Sequence, residues 1–508
     1  MKQQTRRTFL ATTAGGVGLA MTRPLNSVVN AASVLQDDQA CDLHQYSTRE
    51  LNQLVSSLSR HSKLYYQTDG EEYLQASIVW DPTYQASPPC VVMPAEPEDI
   101  ARTIDWCRTR GINPRIRNGG HGFAGYSTGN TLNINLGLMN SIQVDPGGTA
   151  RVDCGANLGE VYCALYDADP NDRRTIAAGT CAPVGVSGIT TVGGHGLLTR
   201  KYGFTLDALQ EATIALADGT LVTANENNQY SDLFWGIRGV GNASLGVIAG
   251  LVFKTQPFGE QWRFKVIWPG DDFVEVFSQW QAWSLNTPDE ITSGLVFRAS
   301  EGSIICNLQG TVVGTQAEAE AQLSSVLAAV SATPTSITHP DSRITPDCNP
   351  SHGYGIEPGK RKSALSTGNV DTAGLEKMLQ AWKDRLEDPV LTATKGTVIF
   401  ESWGGQSSVP AANATAFVHR DAKISAQFIA LWDEGNEQQA QANRTWIDTM
   451  YSEVRPAFDL GCYQGYWDRD VVDWRQAYYG ANWSRLKTVK AQYDPDDFFK
   501  FPQSVPVG

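Results

Sequence analysis

The chain has 508 residues, with 40 Lys+Arg against 54 Asp+Glu and a formal charge of −14 at pH 7. At about 150 residues per domain it is long enough for a few domains and a sizeable core. A content of 41% hydrophobic and 19% charged residues excludes a disordered, collagen-like or coiled-coil chain, and the acidic balance argues against a nucleic-acid partner because it repels phosphate backbones.

The chain opens Met1-Lys2-Gln3-Gln4-Thr5-Arg6-Arg7-Thr8-Phe9-Leu10, followed by a weakly hydrophobic run from Ala11 to Met21. That run is too short and too rich in Gly and Thr to span a bilayer. Twin arginines ahead of it read as a Tat-type signal peptide over residues 1–32, with cleavage near Ala31 or Ala32. The Tat route carries proteins that fold before export. The leader therefore implies the Tat machinery as a partner, a cofactor inserted beforehand, and a bacterial protein in the periplasm or outside the cell. No other stretch is apolar enough for a membrane helix, so no membrane anchor is expected after processing.

Further along, Thr48 to Ser62 carries apolar residues at helical spacing, and Glu98 to Arg110 reads as a helix ended by Gly111. Asn113 to Arg117 and Thr131 to Leu136 read as strands. Asp207 to Leu221 is a strand and turn around Ala217-Asp218-Gly219, and Ala178 to Gly203 and Ser231 to Ile248 are glycine clusters. After Pro257 glycines thin out. Helices over Gln316–Val330 and Leu375–Leu386 then alternate with strands over Gly396–Phe400 and Ile424–Leu431, which reads as a second domain. Nine cysteines include no C-x-x-C pair and no zinc spacing, so no metal is expected, and their odd number leaves at least one without a partner in the chain.

Gly120-His121-Gly122-Phe123-Ala124-Gly125 matches G-x-G-x-x-G. The dinucleotide reading of that pattern needs a helix after the glycines. Here Tyr126 to Asn130 leads into a strand instead, so a Rossmann site is rejected. A glycine-rich turn between strands can still cradle a pyrophosphate with successive backbone N–H groups. On this segment alone a tight hairpin turn reads equally well.

Two more segments carry the argument. One runs Ala178-Gly179-Thr180-Cys181-Ala182-Pro183-Val184-Gly185-Val186-Ser187-Gly188 and continues through Gly193-Gly194-His195-Gly196 to Arg200-Lys201-Tyr202-Gly203. The other runs Asp232 to Gly239 and on to Leu245-Gly246-Val247-Ile248. The tail adds Tyr478-Tyr479-Gly480-Ala481-Asn482 and Asp494-Pro495-Asp496-Asp497-Phe498-Phe499. Together with the His121 turn, these motifs resemble, in order from about Cys90 to Val505, the berberine-bridge-enzyme-like FAD-linked oxidases of the vanillyl-alcohol-oxidase superfamily.

The resemblance implies an α+β fold of two lobes. A PCMH-type FAD-binding domain would span residues 42–257. A substrate domain, an antiparallel sheet covered by helices, would span 258–456, and a C-terminal berberine-bridge-like segment, 457–508, would return to the FAD lobe. It implies FAD held twice: His121 on the 8α-methyl carbon and Cys181, sixty residues later, on ring carbon 6. A neutral imidazole and a thiolate are the side chains able to attack an oxidised, electron-poor flavin. The remaining flavin-binding residues it implies are Arg117, Asn118, Gly119, Gly120, Gly122, Phe123, Val184, Gly185, Gly188, Gly246, Val247, Ile248, Tyr479 and Asn482. With Cys181 used, eight cysteines are left to pair, and Cys41 with Cys107 resembles the family's N-terminal disulfide.

Flavin oxidation of an alcohol needs a base for the hydroxyl proton. Tyr463-Gln464-Gly465-Tyr466-Trp467-Asp468 resembles the family's Y-x-N-Y-x-D stretch, which makes Tyr463 the candidate base, Tyr466 the reserve and Glu401 the group that orients it. Gln427 stands where berberine bridge enzymes carry a glutamate base, and it cannot act as one. Phe123 and His195 stand where sugar-oxidising relatives usually have tyrosines, and His195 is an alternative base because its ordinary pKa lies near neutrality. In this family the position of Val184 gates oxygen, and valine there reads as an oxidase. The expected reaction is oxidation of a carbohydrate or similar small alcohol, with dioxygen reduced to hydrogen peroxide. A tailoring oxidase of an aromatic or polyketide-type metabolite, a dehydrogenase with another acceptor, and a flavin-free binding protein stay open as alternatives.

Overall fold

Residues 48–241, 243–300, 303–348 and 357–508 are described by the computed structural model. The leader and Cys41 lie outside the described residues, and with them the Cys41–Cys107 pairing.

Local sequence signals account for most elements. The first helix covers Thr48–Ser57, and the next of the expected helices, Pro97–Arg108, starts with Pro97 in its first turn, where a missing N–H costs nothing. The helix expected from Leu375 begins at Thr372, because the side chain of Asp371 caps it by accepting from Ala373 N. A reciprocal cap between Thr315 and Glu318 starts helix Gln316–Ala329. Two strands, Leu209–Ala215 and Leu221–Asn225, flank the turn read around Asp218.

The strands sort into layers. A four-stranded sheet has the order Lys63–Tyr66, Cys90–Met93, Asn133–Asn135, Arg115–Arg117, the last two pairings being parallel. A five-stranded antiparallel sheet runs Ile142–Asp145, Thr149–Asp153, Val247–Lys254, Leu209–Ala215, Leu221–Asn225. Seven strands form a third, antiparallel sheet in the order Ser336–Thr338, Gln261–Pro269, Ser303–Val313, Ile291–Ser300, Lys395–Ser402, Ile424–Leu431, Gly359–Ser366. The fold is thus α+β, with the expected helix-covered antiparallel sheet.

Two large cores follow these sheets. One draws on residues between Leu51 and Phe253 and also takes in Cys462, Trp467, Tyr478, Tyr479, Leu486, Phe499 and Val505 from the tail. The other gathers residues between Trp262 and Phe458, with the rings of Trp268, Trp280 and Trp382 fully buried. A smaller cluster of Phe204, Leu365, Trp403, Phe417 and Tyr463 lies apart from both. Cys163 and Cys348 form a disulfide across 185 residues of sequence, whereas Cys154, Cys306 and Cys462 are buried outside any disulfide. Among the described residues no helix is long and apolar enough to cross a membrane.

His419 yields a pH dependence of stability. Burial pushes its imidazole down to about 4 from the ordinary 6.5. Between those values the unfolded chain binds a proton that the folded chain refuses, so stability falls as pH drops from 6.5 towards 4 and is complete above 6.5. The slope is at most about 1.4 kcal/mol per pH unit from this residue. Melting curves between pH 7 and pH 4.5 should show a shallower loss for His419→Gln than for the parent; parallel losses would contradict the assignment.

Candidate active site

The glycine-rich turn after strand Arg115–Arg117 leads into loop, not helix, up to strand Asn133–Asn135. Its start packs directly on the loop that precedes helix Val186–Thr191. A Cβ on Gly119 would meet the backbone of Pro183 and Gly185 at 2.5 Å, and one on Gly185 would meet Asn118 at 2.3 Å. Only glycines allow this approach. Asn118 fastens the contact by donating to Ser187 Oγ, 2.9 Å, and to Cys154 O. From the other side, Leu158 N donates to Val184 O and Gly159 N to Ala182 O, both at 2.9 Å, so the first turn of helix Leu158–Asp167 braces the Cys181 loop.

These loops bound a cavity of about 530 Å³, within the range of cofactor and ligand sites. His121, Cys181, Asn118, Gly119, Gly120, Gly122, Phe123, Val184, Gly185, Gly188, Gly246 and Ile248 line it, as do Tyr463, Tyr466, His195, Gln427 and Glu401. Four expected flavin contacts do not reach it. Arg117 points away and donates to Ala76 O at 3.3 Å. Val247 alternates off the cavity into the core. Tyr479 is buried and donates to Val240 O at 2.8 Å, so it supports a lining residue from behind. Asn482 ties down the 412–416 loop through Ala412 O, Thr415 O and Ala416 O.

The His121 ring stacks on Trp80, centroids 5.3 Å apart. Burial, with the charges of Arg361 and Arg117 adding to it, pushes the imidazole down to about 4, so it is neutral at physiological pH. The Cys181 side chain is open to the cavity; its surroundings push the thiol up, opposed by a hydrogen bond with Thr180 and reinforced by the Glu401 charge. Sulfur at this position must therefore shed its proton when it reacts.

The two tyrosines differ in their partners. Tyr463 OH accepts from Gly194 N at 3.0 Å. Tyr466 OH sits 2.9 Å from His195 Nε2, and His195 Nδ1 lies 3.4 Å from Glu401 Oε2. The carboxylate beside Nδ1 favours the tautomer with the ring hydrogen there, and in that tautomer Nε2 accepts from the Tyr466 O–H. This gives a line from Tyr466 through His195 to Glu401. Tyr466 also stacks on Phe123, 5.6 Å away, beside the His121 turn. Burial and the Glu401 charge hold both phenols well above their ordinary 10.

Sequence reasoning missed part of this wall. Arg361 and Asp81 form an ion pair at 2.5 Å with side chains only 1% exposed, and Arg361 lies over the rings of Trp80 and Phe123 at 4.2 and 5.0 Å. The one available signal was the basic triplet Lys360-Arg361-Lys362 inside a strand-like stretch.

The donor set fits a flavin: a long backbone-lined cradle that admits no Cβ at Gly119 and Gly185, with a neutral imidazole and a thiol opening onto it. Fold and site together define an FAD-dependent oxidoreductase. A FAD binding domain is matched over residues 88–225 and a berberine and berberine-like segment over 462–506. An uncharacterised FAD-linked oxidoreductase of Bacillus subtilis is 31% identical over 445 residues, 86% of this chain and 95% of that protein. The chitooligosaccharide oxidase of Gibberella zeae is 27% identical over 449 residues, covering 82% and 87%. The solved structure of Physcomitrella patens BBE-like 1 superposes with a TM-score of 0.80 at 26% identity, covering 90% of this chain and 99% of that one. The chain belongs to the berberine-bridge-enzyme-like family of FAD-linked oxidoreductases.

Proposed function

We propose that the protein is an exported oxidase that converts a carbohydrate or similar small alcohol into the matching carbonyl compound. When bound, FAD supplies an electron-poor ring that takes hydride from the alcohol carbon and returns two electrons to dioxygen. His121 and Cys181 are the residues that hold it covalently, through the 8α-methyl carbon and ring carbon 6. Over the reaction the carbon loses a hydride, the hydroxyl loses a proton, and dioxygen gains two electrons and two protons to give hydrogen peroxide.

The observation that carries the reading is the Tyr466–His195–Glu401 line at the cavity wall. Tyr466 stays protonated at neutral pH, so it acts as a base by passing its own proton to His195 Nε2 as it takes the substrate's. Glu401 then faces the imidazolium that forms. Tyr463, already engaged with Gly194, positions the ring cluster. The oligosaccharide relatives support an alcohol substrate.

The test is oxygen uptake by purified holoprotein against a panel of alcohols, with one peroxide formed per dioxygen consumed; flavin reduction without oxygen uptake would point to a dehydrogenase. Val184, which lines the cavity, supplies a second check. Val184→Leu fills a small apolar void by one methylene. It should slow reoxidation by air at least tenfold while leaving reduction by substrate within about twofold; equal reoxidation rates would remove Val184 from oxygen access.

A further inference from the structure

The turn that carries both cavity tyrosines leaves no room for a side chain between them. A Cβ on Gly465 would stand 2.6 Å from the Tyr463 hydroxyl oxygen and closer still to the adjoining ring carbons. The Tyr463 ring therefore lies against the bare backbone of Gly465. That backbone is pinned. Tyr463 N donates to Ser363 Oγ at 3.1 Å, Gln464 Nε2 to Gly239 O at 3.1 Å, and Tyr466 N to Tyr463 O at 3.0 Å. A side chain at position 465 is thus accommodated by displacing the phenol.

The phenol is itself hemmed in. The rings of His195, Trp403 and Tyr466 surround it at centroid distances of 5.2, 5.4 and 5.0 Å. Its hydroxyl accepts the buried Gly194 N–H at 3.0 Å. Gly194 immediately precedes His195, in a sharp turn. Gly193 and Gly194 have φ of +116° and +75°, left-handed values that favour glycine, and Gly194 O accepts from Thr205 N at 2.8 Å. A buried N–H left without an acceptor costs free energy, so moving the phenol loosens the turn that carries the His195 ring. His195 Nε2 in turn meets the Tyr466 hydroxyl at 2.9 Å.

We infer that Gly465 is a positioning residue for the proton acceptor, an inference that rests on the Tyr466 reading proposed above. Having no side chain, it lets Tyr463 take the Gly194 amide, and that contact fixes His195 against Tyr466. The path runs from Gly465 through Tyr463, Gly194 and His195 to Tyr466, the neighbour of Gly465 in the chain, so the brace closes on itself. Besides His195, the titratable groups facing Tyr466 are Glu401, Tyr463 and Cys181.

Hydrogen–deuterium exchange of the flavin-loaded protein reads the brace at the Gly194 amide. Gly465→Ala is expected to speed that exchange at least tenfold, the scale of one lost hydrogen bond. Tyr463→Phe should do the same, and the two together should exchange no faster than the faster single variant. Exchange within twofold of the parent in folded Gly465→Ala overturns the inference. If Gly465→Ala does not fold, Gly465→Ala/Tyr463→Leu carries the test, because it removes the ring that the new methyl would strike. Melting indistinguishable from that of Tyr463→Leu is expected, and lower melting overturns the inference. Anaerobic flavin reduction by cellobiose adds a catalytic readout. Gly465→Ala should be at least tenfold slower than the parent at pH 7, and the gap should narrow towards pH 9, because a Tyr466 hydroxyl without His195 behind it must ionise unaided. A loss of equal size across that range marks a merely structural defect and overturns the positioning role. If cellobiose leaves the parent flavin oxidised, the carbohydrate reading falls and the exchange result decides the brace. Faster Gly194 exchange in Gly465→Ala beside an undiminished Tyr466→Phe would keep the brace and remove the base. Unmoved exchange beside an inactive Tyr466→Phe would keep the base and remove the brace.

Discussion

Tyr466→Phe is expected to lower the rate of flavin reduction by substrate by about 10³-fold, the scale of losing a positioned general base, with FAD retained. The hydroxyl removed is the one 2.9 Å from His195 Nε2, and no other phenol in the cavity reaches that imidazole by a hydrogen bond among the described residues. Tyr463→Phe removes a hydroxyl that accepts the Gly194 N–H and should cost roughly tenfold, the scale of one positioning hydrogen bond. His195→Gln should fall between the two and alter the pH profile of reduction, because it interrupts the path to Glu401 while leaving Tyr466 in place. Stopped-flow reduction under anaerobic conditions separates these steps from reoxidation. A larger loss for Tyr463→Phe than for Tyr466→Phe would return the base to Tyr463.

Asp81→Leu should destabilise the fold by about 3–5 kcal/mol, the cost of leaving one member of a buried ion pair without its partner. Both side chains are 1% exposed, and Arg361 presses on Trp80, so the unpaired charge would stay largely out of water. Adding Arg361→Met should recover most of the loss, since two apolar groups replace two desolvated charges. The exposed Asp105–Arg108 pair, with side chains 56% and 43% accessible, is the control, and its removal should cost no more than about 1 kcal/mol. Denaturant titration of the four proteins measures the differences. A loss below about 1 kcal/mol for Asp81→Leu would mean that the pair is solvated in solution.

Much of the fold was legible because its signals are local. The strand read over Ile424–Leu431 has those bounds, and the helix read over Gln316–Val330 runs from Gln316 to Ala329. The cavity loops were legible because close backbone contact demands glycine, and glycine clusters stand out in a sequence. The roles within the wall were less so. His195 meets Tyr466 across 271 residues and Arg361 meets Asp81 across 280, and no local pattern marks partners that far apart. Motif order alone ranked Tyr463 first, although its hydroxyl is turned to the Gly194 amide. Arg117, Val247, Tyr479 and Asn482 adjoin motif residues, yet strand alternation and the packing behind the loops carry them away from the cavity.

The most direct test of the account is the fate of the flavin when the purified holoprotein is denatured in acid. One flavin per chain remaining on the polypeptide, by absorbance and by intact mass, is the expected result. His121→Ala and Cys181→Ala should each retain it through a single bond, and the double variant should release it. Flavin released from the parent chain, or retained by the double variant, would contradict the assignment of His121 and Cys181 as its two points of attachment.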